Sequence, residues 1–435
     1  MRKNSHIYRA VAHFVPFCHS AVGKKTVFYQ SLENHLDTNE SARYNKSIVG
    51  PRTYWRSLKK QPPAEARIFG GNMSVKYLEE AGIAFDFAAE PVKYERCDAG
   101  HINDTYFVSC GDGNPGYILQ RVNTGIFKDP IKLMANIKGV CTHVAAKIAA
   151  EGGDPDREVR KIIQTKSGDD YYVDPDGCYW RAYLEIRDVV SYNTATNELF
   201  YESAVAFGKF FNQLADYPAE TLYETIPNFH NSVSRMNDFK KAVAEDKLGR
   251  ACEMQKEIEF ALSLEPECSY ILDRLKDGRC RLCVTHNDTK LNNVLLDNKT
   301  GEGVCVIDLD TVMPGLAAND FGDSIRFGAN HCAEDEADLT KVNFSMELFE
   351  IYTKGFLQAA GKSFTPLEKQ TLPWGAKLMT MECGMRFLAD YLEGDHYFHI
   401  NYEQQNLNRA RTQFKLTSGM EENWDAMQKV IEKYC

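Results

Sequence analysis

The sequence predicts an α+β chain of two lobes, a small five-stranded antiparallel sheet lobe followed by a larger, mainly helical one. Three observations predict it. Between residues 92 and 185, short β-rich runs alternate with turn residues and are interrupted by a single long helical pattern. From residue 199 the apolar spacing is helical almost throughout. Inside that helical half, two neighbouring β-rich segments carry polar side chains at fixed positions. Residues 284–297 read Val-Thr-His-Asn-Asp-Thr-Lys-Leu-Asn-Asn-Val-Leu-Leu-Asp, and residues 304–310 read Val-Cys-Val-Ile-Asp-Leu-Asp.

Taken in order, residues 1–72 stand apart. They lack sustained periodicity, are rich in Lys, Arg, Asn and Ser, and break at Gln61-Pro62-Pro63. Two readings fit: a poorly ordered extension, or an upstream segment joined to a true start at Met73. The second is favoured by Gly70-Gly71, whose codons can spell a purine-rich ribosome-binding tract. The first lobe is expected over 73–187 and the second over 188–435. Residues 74–84 read as a short helix, 92–97, 105–110 and 117–122 as strands, and 129–151 as a helix with Ile131, Met134, Ile137, Val140, Val144 and Ile148 on one face. Gly152-Gly153 stops that helix. Strands at 161–165 and 179–185 complete the sheet, and 184–190 links the lobes. Helices are expected at 199–215, 236–244 and 251–275, and after the β segments at 320–327, 346–360, 366–392 and 404–434.

His286, Asp288 and Asn293 fall in the register H-x-D-x-x-x-x-N. That is the catalytic loop of the kinase fold, where the Asp meets the acceptor hydroxyl and the Asn holds Mg2+. The fold class is therefore bilobal and protein-kinase-like. Asp288 is the expected catalytic group, with Asn293 and Asp308 as metal ligands, since Mg2+ takes hard oxygens. Asp310, on the same strand face, is either a supporting group or a substrate contact. Lys290 stands where such loops carry a lysine to the γ-phosphate; a solvated surface lysine is the other reading. His286 reads as a buried organiser of the loop rather than a base. The phosphate-loop candidate is the turn holding Gly100, Asn103 and Thr105, and the hinge with Glu185 is where backbone groups hold adenine in this fold.

Three further motifs mislead. Gly111 to Gly116 spells G-x-G-x-x-G but joins two strands rather than opening a helix, so it reads as a hairpin turn. Gly361-Lys362-Ser363 has no strand before it and the wrong glycine spacing for a Walker loop. Asp320-Phe321-Gly322 lies beyond the strand that already supplies Asp308, so Asp320 reads as a structural residue opening the next helix. The helix at 377–392 is apolar nearly all round, yet Glu382, Arg386 and Asp390 recur along it. A buried charged stripe needs partners. Arg386 either holds a polar ligand or pairs with Glu382.

Composition narrows the classes. A net charge of −10 and a pI near 5.7 argue against a nucleic-acid-binding surface. No apolar run approaches the ~18 residues of a membrane span. Thirteen scattered cysteines fit a reduced, cytoplasmic protein better than a disulfide framework. Cys280 and Cys283 read as two thiols beside a strand, because no second ligand pair is near. The sequence carries no signature of a particular oligomeric state.

From residue 73 to about 420 the chain resembles the aminoglycoside/choline phosphotransferase family, and within it the branch acting on N-acetylhexosamines. The resemblance rests on residues 100–103, 284–295, 307–314, 320–329 and 381–395. It implies ATP- and Mg2+-dependent phosphorylation of the anomeric hydroxyl of GlcNAc or GalNAc. It also implies sugar contacts from His101, Phe327, Arg386 and Tyr397, which takes Arg386 as a ligand residue. One departure stands out. The third strand, 117–122, has no lysine where kinases carry one, and the helix from 129 has no Glu before Glu151. A different phosphate clamp, through Arg121 or Lys290, is expected. A kinase for another hydroxyl compound and a nucleotide-binding regulator without turnover are the competing functions.

Overall fold

The computed structural model describes residues 76–97 and 102–435. The proposed start at Met73 and the site residues Gly100 and His101 lie outside the described residues. After α1 (Leu78–Ala84), strands β1 (Lys93–Cys97), β2 (Asp104–Ser109) and β3 (Gly116–Arg121) form an antiparallel meander. The long helix α2 (Pro130–Ala150) follows, capped by Asp129 with Pro130 at its first position. Then come α3 (Pro155–Glu158), β4 (Ile162–Ile163), β5 (Tyr172–Val173) and β6 (Tyr179–Leu184). The sheet order is β1-β2-β3-β6-β4, with β5 paired to β6. Six strands therefore stand where five are expected. The extra one, β5, is two residues long, too short for alternation to reveal.

The G-x-G-x-x-G segment is the β2–β3 hairpin loop: Gly111 and Gly113 take φ of 89° and 81°, and Ser109 pairs with Gly116. One face of the sheet buries Phe85, Tyr106, Val108, Leu119, Trp180 and Ala182 as its own core. The link to the second lobe packs Ile186 and Val189 of the chain crossing against Cys305.

The second lobe begins with β7 (Val189–Val190), α4 (Asn197–Gln213), α5 (Ser232–Glu245), α6 (Gln255–Ser263) and α7 (Tyr270–Lys276). The single helix expected over 251–275 is broken, because Pro266 removes a backbone donor and a 3-10 turn takes its place. Next come β8 (Cys283–Thr285), β9 (Val294–Asp297), β10 (Gly303–Val306) and β11 (Met313–Gly315). β9 lies between β10 and β7, while β8 pairs with β11, so the two polar segments of the sequence are neighbours in space. Helices α8 (Ala317–Gly328), α9 (Met346–Ala360), α10 (Pro366–Glu393), α11 (Gln405–Glu422) and α12 (Trp424–Tyr434) complete the lobe. The helical run expected over 404–434 divides at Asn423.

The buried α10 runs through the lobe core. Its start is a full capping box, Thr365 and Glu368 exchanging side-chain and backbone bonds around Pro366. It crosses α8 at glycines: a Cβ on Gly375 would lie 1.9 Å from the Ala318 carbonyl oxygen, and one on Gly322 would lie 2.3 Å from that of Gly375. Gly322 is thus a packing residue.

Candidate active site

The loop between β8 and β9 is held in shape from below by the first turns of α8. Asp320 accepts from the His286 and Asn287 amides, both at 2.8 Å, and Asp323 accepts from the Thr289 amide at 2.8 Å. Ser324 Oγ donates to the Thr289 carbonyl at 2.7 Å. These bonds let Asn287 adopt φ of 64°, a conformation that Asn tolerates better than most residues. They also assign Asp320 its job, as the anchor of two loop amides at the start of a helix. Burial pushes the Asp320 carboxyl up to about 6, against the two amide bonds that favour its charge. Asp323, also buried, is held below the usual range because Arg326, His230 and Lys290 outweigh that burial.

His286 is fully buried, edge-on to Phe207 and Phe210. Its Nδ1 accepts from the Asp288 amide at 3.2 Å, so its Nε2 carries the proton and donates to the Ile307 carbonyl at 2.9 Å. The imidazole ties the loop to the segment carrying Asp308 and has no nitrogen left for a reacting group.

Four of the sequence-derived site residues come together. Asn293 Nδ2 donates to the Asp288 carbonyl at 2.8 Å and to Asp288 Oδ2 at 3.0 Å, and Lys290 Nζ is 3.1 Å from Asp288 Oδ1. Lys290 is raised above its ordinary range, first by Asp288, with Asp323 and Asp308 adding. Asp308 stands just after β10 at φ of 60° and is exposed at the surface, with protein packed around it on its other sides. Among the described residues it has neither ion pair nor hydrogen bond. Desolvation first, then Asp310 and Asp288, raise its carboxyl to about 6.

This donor set fits a divalent cation. Asp288 has Lys290 and Asp310 has Arg181, at 2.6 Å, whereas Asp308 has no cation of its own. Asn293 is bound to Asp288 through its amide nitrogen, which leaves its side-chain oxygen, a hard ligand, outside those bonds. Asn293 and Asp308 would hold the ion, which neutralises nucleotide phosphates when bound.

The sheet-lobe residues are placed as follows. Asn103 reaches across to Asp310, Nδ2 to Oδ2 at 2.7 Å. Thr105 accepts from Gln120 at 3.0 Å. The Arg121 guanidinium is engaged by Asp104 at 2.5 Å and lies over Trp180, so it braces β2 against β3. Glu185 follows β6 in the inter-lobe link, its amide bonded to the Gly116 carbonyl.

On the helical side, Arg386 and Tyr397 meet, Nη2 to Oη at 3.4 Å, and the guanidinium sits 5.4–5.7 Å from the rings of Phe229, Tyr397 and Phe398. The Glu382–Arg386 pair does not form. Glu382 instead takes His230 Nδ1 at 3.0 Å, and His230 Nε2 reaches the Asn287 carbonyl at 3.0 Å. Asp390 accepts from the amides of His396, Tyr397 and Phe398, holding the loop that presents Tyr397. Phe327 is half-buried near the end of α8.

Sequence reasoning missed Arg181, His230 and the anchoring role of Asp390. The first had a signal, a charged residue within the otherwise apolar strand Tyr-Trp-Arg-Ala-Tyr-Leu; His230 had none. A separate surface pocket lined by Tyr270, Trp374, Ile431 and Cys435 contains none of these groups.

A sheet lobe over a helical lobe, with an Asp-Asn loop and a second Asp meeting between them, is the design of kinase-like phosphotransferases. The chain belongs to the phosphotransferase enzyme family, whose sequence pattern matches residues 93–347. Among solved structures similar to this chain, the first named here shares the fold. An aminoglycoside phosphotransferase from Alicyclobacillus acidocaldarius is 12% identical with a TM-score of 0.52, covering 85% of this chain and 98% of that one. A microcompartment-associated aminopropanol kinase is 14% identical with a TM-score of 0.48, over 80% and 97% of the two chains. A choline/ethanolamine kinase family protein from Mesorhizobium loti is 15% identical with a TM-score of 0.46, over 79% and 93%.

Proposed function

We propose that this phosphotransferase moves the γ-phosphoryl group of ATP to the anomeric hydroxyl of an N-acetylhexosamine, GlcNAc or GalNAc, yielding the sugar 1-phosphate. The observation that carries the reading is the Asp288 carboxylate fixed between Asn293 and Lys290, beside the unpartnered Asp308. In the reaction the sugar O–H proton passes to Asp288 as the new O–P bond forms, and the bond to the ADP oxygen breaks. Lys290 balances charge at the transferred group. The chain supplies position and electrostatics, which is most of what phosphoryl transfer requires.

Arg386 supports this choice of acceptor class. A permanent cation held among three rings suits a neutral, oxygen-rich acceptor and disfavours an amino alcohol. Glu382, the nearby carboxylate on the same helix, is buried under His230 and is not offered to a cationic acceptor. With Phe327, Tyr397 and His101, Arg386 forms the sugar site of this reading. Asn103, Thr105, Gly100 and the hinge at Glu185 form the nucleotide side, and Lys290 takes the clamp role also considered for Arg121. A regulator without turnover is disfavoured by Asp288, Asn293 and Asp308 together. The cytoplasm is the compartment we assign: the cysteines of the described residues are free thiols, and no described helix is long and apolar enough to cross a membrane.

The test is an acceptor panel with ATP and Mg2+. N-acetylhexosamines are expected to be turned over far better than amino alcohols or aminoglycosides. Preference for a cationic acceptor would favour the competing kinase reading.

A further inference from the structure

The missing strand lysine and helix glutamate leave open how the sheet lobe is registered on the metal position. A continuous polar chain crosses between the lobes at that point. Arg181, on β6, is 2% exposed and points into the interior, its Nη1 2.6 Å from Asp310 Oδ1. Its Nε donates to Gln120 Oε1 at 3.0 Å, and Gln120 Nε2 donates to Thr105 Oγ1 at 3.0 Å. The other oxygen of Asp310 accepts from Asn103 Nδ2 at 2.7 Å, and Asn103 Oδ1 accepts from the Asn123 amide at 2.9 Å. Both ends of this chain land on residues 103–105, at the start of β2. Its middle lands two residues after Asp308.

We propose that Arg181 and Asp310 form an inter-lobe strut that sets residues 102–105 over the Asp308 metal position, replacing the lysine–glutamate pair this chain lacks. Asp310 is then a positioning residue rather than a metal ligand, since one oxygen accepts from Asn103, the other lies in ion-pair contact with Arg181, and it is 3% exposed. Burial gives the pair its stiffness. A guanidinium and a carboxylate removed from water hold each other strongly, because separating them leaves an uncompensated buried charge. A catalytic loop and a phosphate loop on different lobes need such a fixed distance, as small misplacements of reacting groups cost large factors in rate.

The inference rests on the nucleotide half of the proposed function and not on the sugar. Its test is therefore a calorimetric titration of the full chain with ADP and Mg2+, with no acceptor present, so that failure of the sugar assignment leaves it readable. Asn103→Ala removes two bonds, the one donated to Asp310 and the one accepted from the Asn123 amide, outside the packed core. It is expected to weaken nucleotide affinity about tenfold, with the Tm within ~2 °C of wild type. Asp310→Asn is expected to weaken nucleotide affinity further and to raise the Mg2+ concentration at which ADP binding is half-maximal, with Arg181→Lys intermediate. Nucleotide affinity unchanged in Asn103→Ala overturns the proposal.

Discussion

At the scale of single residues, the account turns on three carboxylates with different partners. Asp288 has Lys290 and Asp310 has Arg181, while desolvation first, then Asp310 and Asp288, push the Asp308 carboxyl up to about 6. An ordinary Asp loses its proton near ~4. Between those values the folded chain binds more protons than the unfolded one, so Asp308 draws stability down as pH rises through that window, and Asp320 adds to the trend. A divalent cation on Asp308 competes with its proton. The rise in Tm on adding Mg2+ is therefore predicted to be small near pH ~5 and full by pH ~7, and to vanish in Asp308→Asn. An equal rise at both pH values would contradict the assignment. For Asp288→Asn, turnover is predicted to fall by ~10²-fold or more while nucleotide affinity is kept. Arg386→Ala should raise the sugar KM with little change in Tm; a change in Tm alone would mean that the guanidinium only packs the three rings together.

At the scale of elements, α8 is the part on which the catalytic loop depends. Its first turns anchor the loop amides through Asp320 and Asp323, and it sits on α10 through glycines. A methyl group at Gly375 would collide with backbone rather than with a flexible side chain. Gly375→Ala is predicted to cost ~1–3 kcal/mol or more of stability and to lower turnover with it, read by denaturant unfolding. Thr365→Ala, which breaks only the capping box, should cost ~1 kcal/mol and leave turnover intact. The sequence showed Asp320 as a structural residue because Asp308 already filled the metal role. It could not show which amides Asp320 holds, as those lie some 33–34 residues earlier in the chain. The break within 251–275 was legible in Pro266, yet the helical spacing around it was strong enough to hide it.

At the scale of the whole molecule, the sheet-then-helix division was legible from the change in apolar period, and the loop joining Asp288 to Asn293 from one spacing. What joins the lobes was not. Arg181, Asp310 and Asn103 lie 207 residues apart at the extremes, and no local pattern pairs an interior arginine with its carboxylate. The same holds for His230, which links Glu382 of α10 to the carbonyl of Asn287 next to Asp288. Arg386 lies one turn along α10 from Glu382, so that helix connects the proposed acceptor site to the catalytic loop. Long-range polar contacts of this kind give the cleft its geometry, while the apolar cores of the two lobes give it a rigid frame.

The most direct measurement follows the labelled γ-phosphate of ATP in the presence of GlcNAc, with wild type and Asp288→Asn side by side, and locates it on the product by phosphorus NMR. The account predicts a non-reducing sugar 1-phosphate from wild type and almost none from the variant. Label on another hydroxyl, label on a different acceptor only, or equal transfer by both proteins would contradict it.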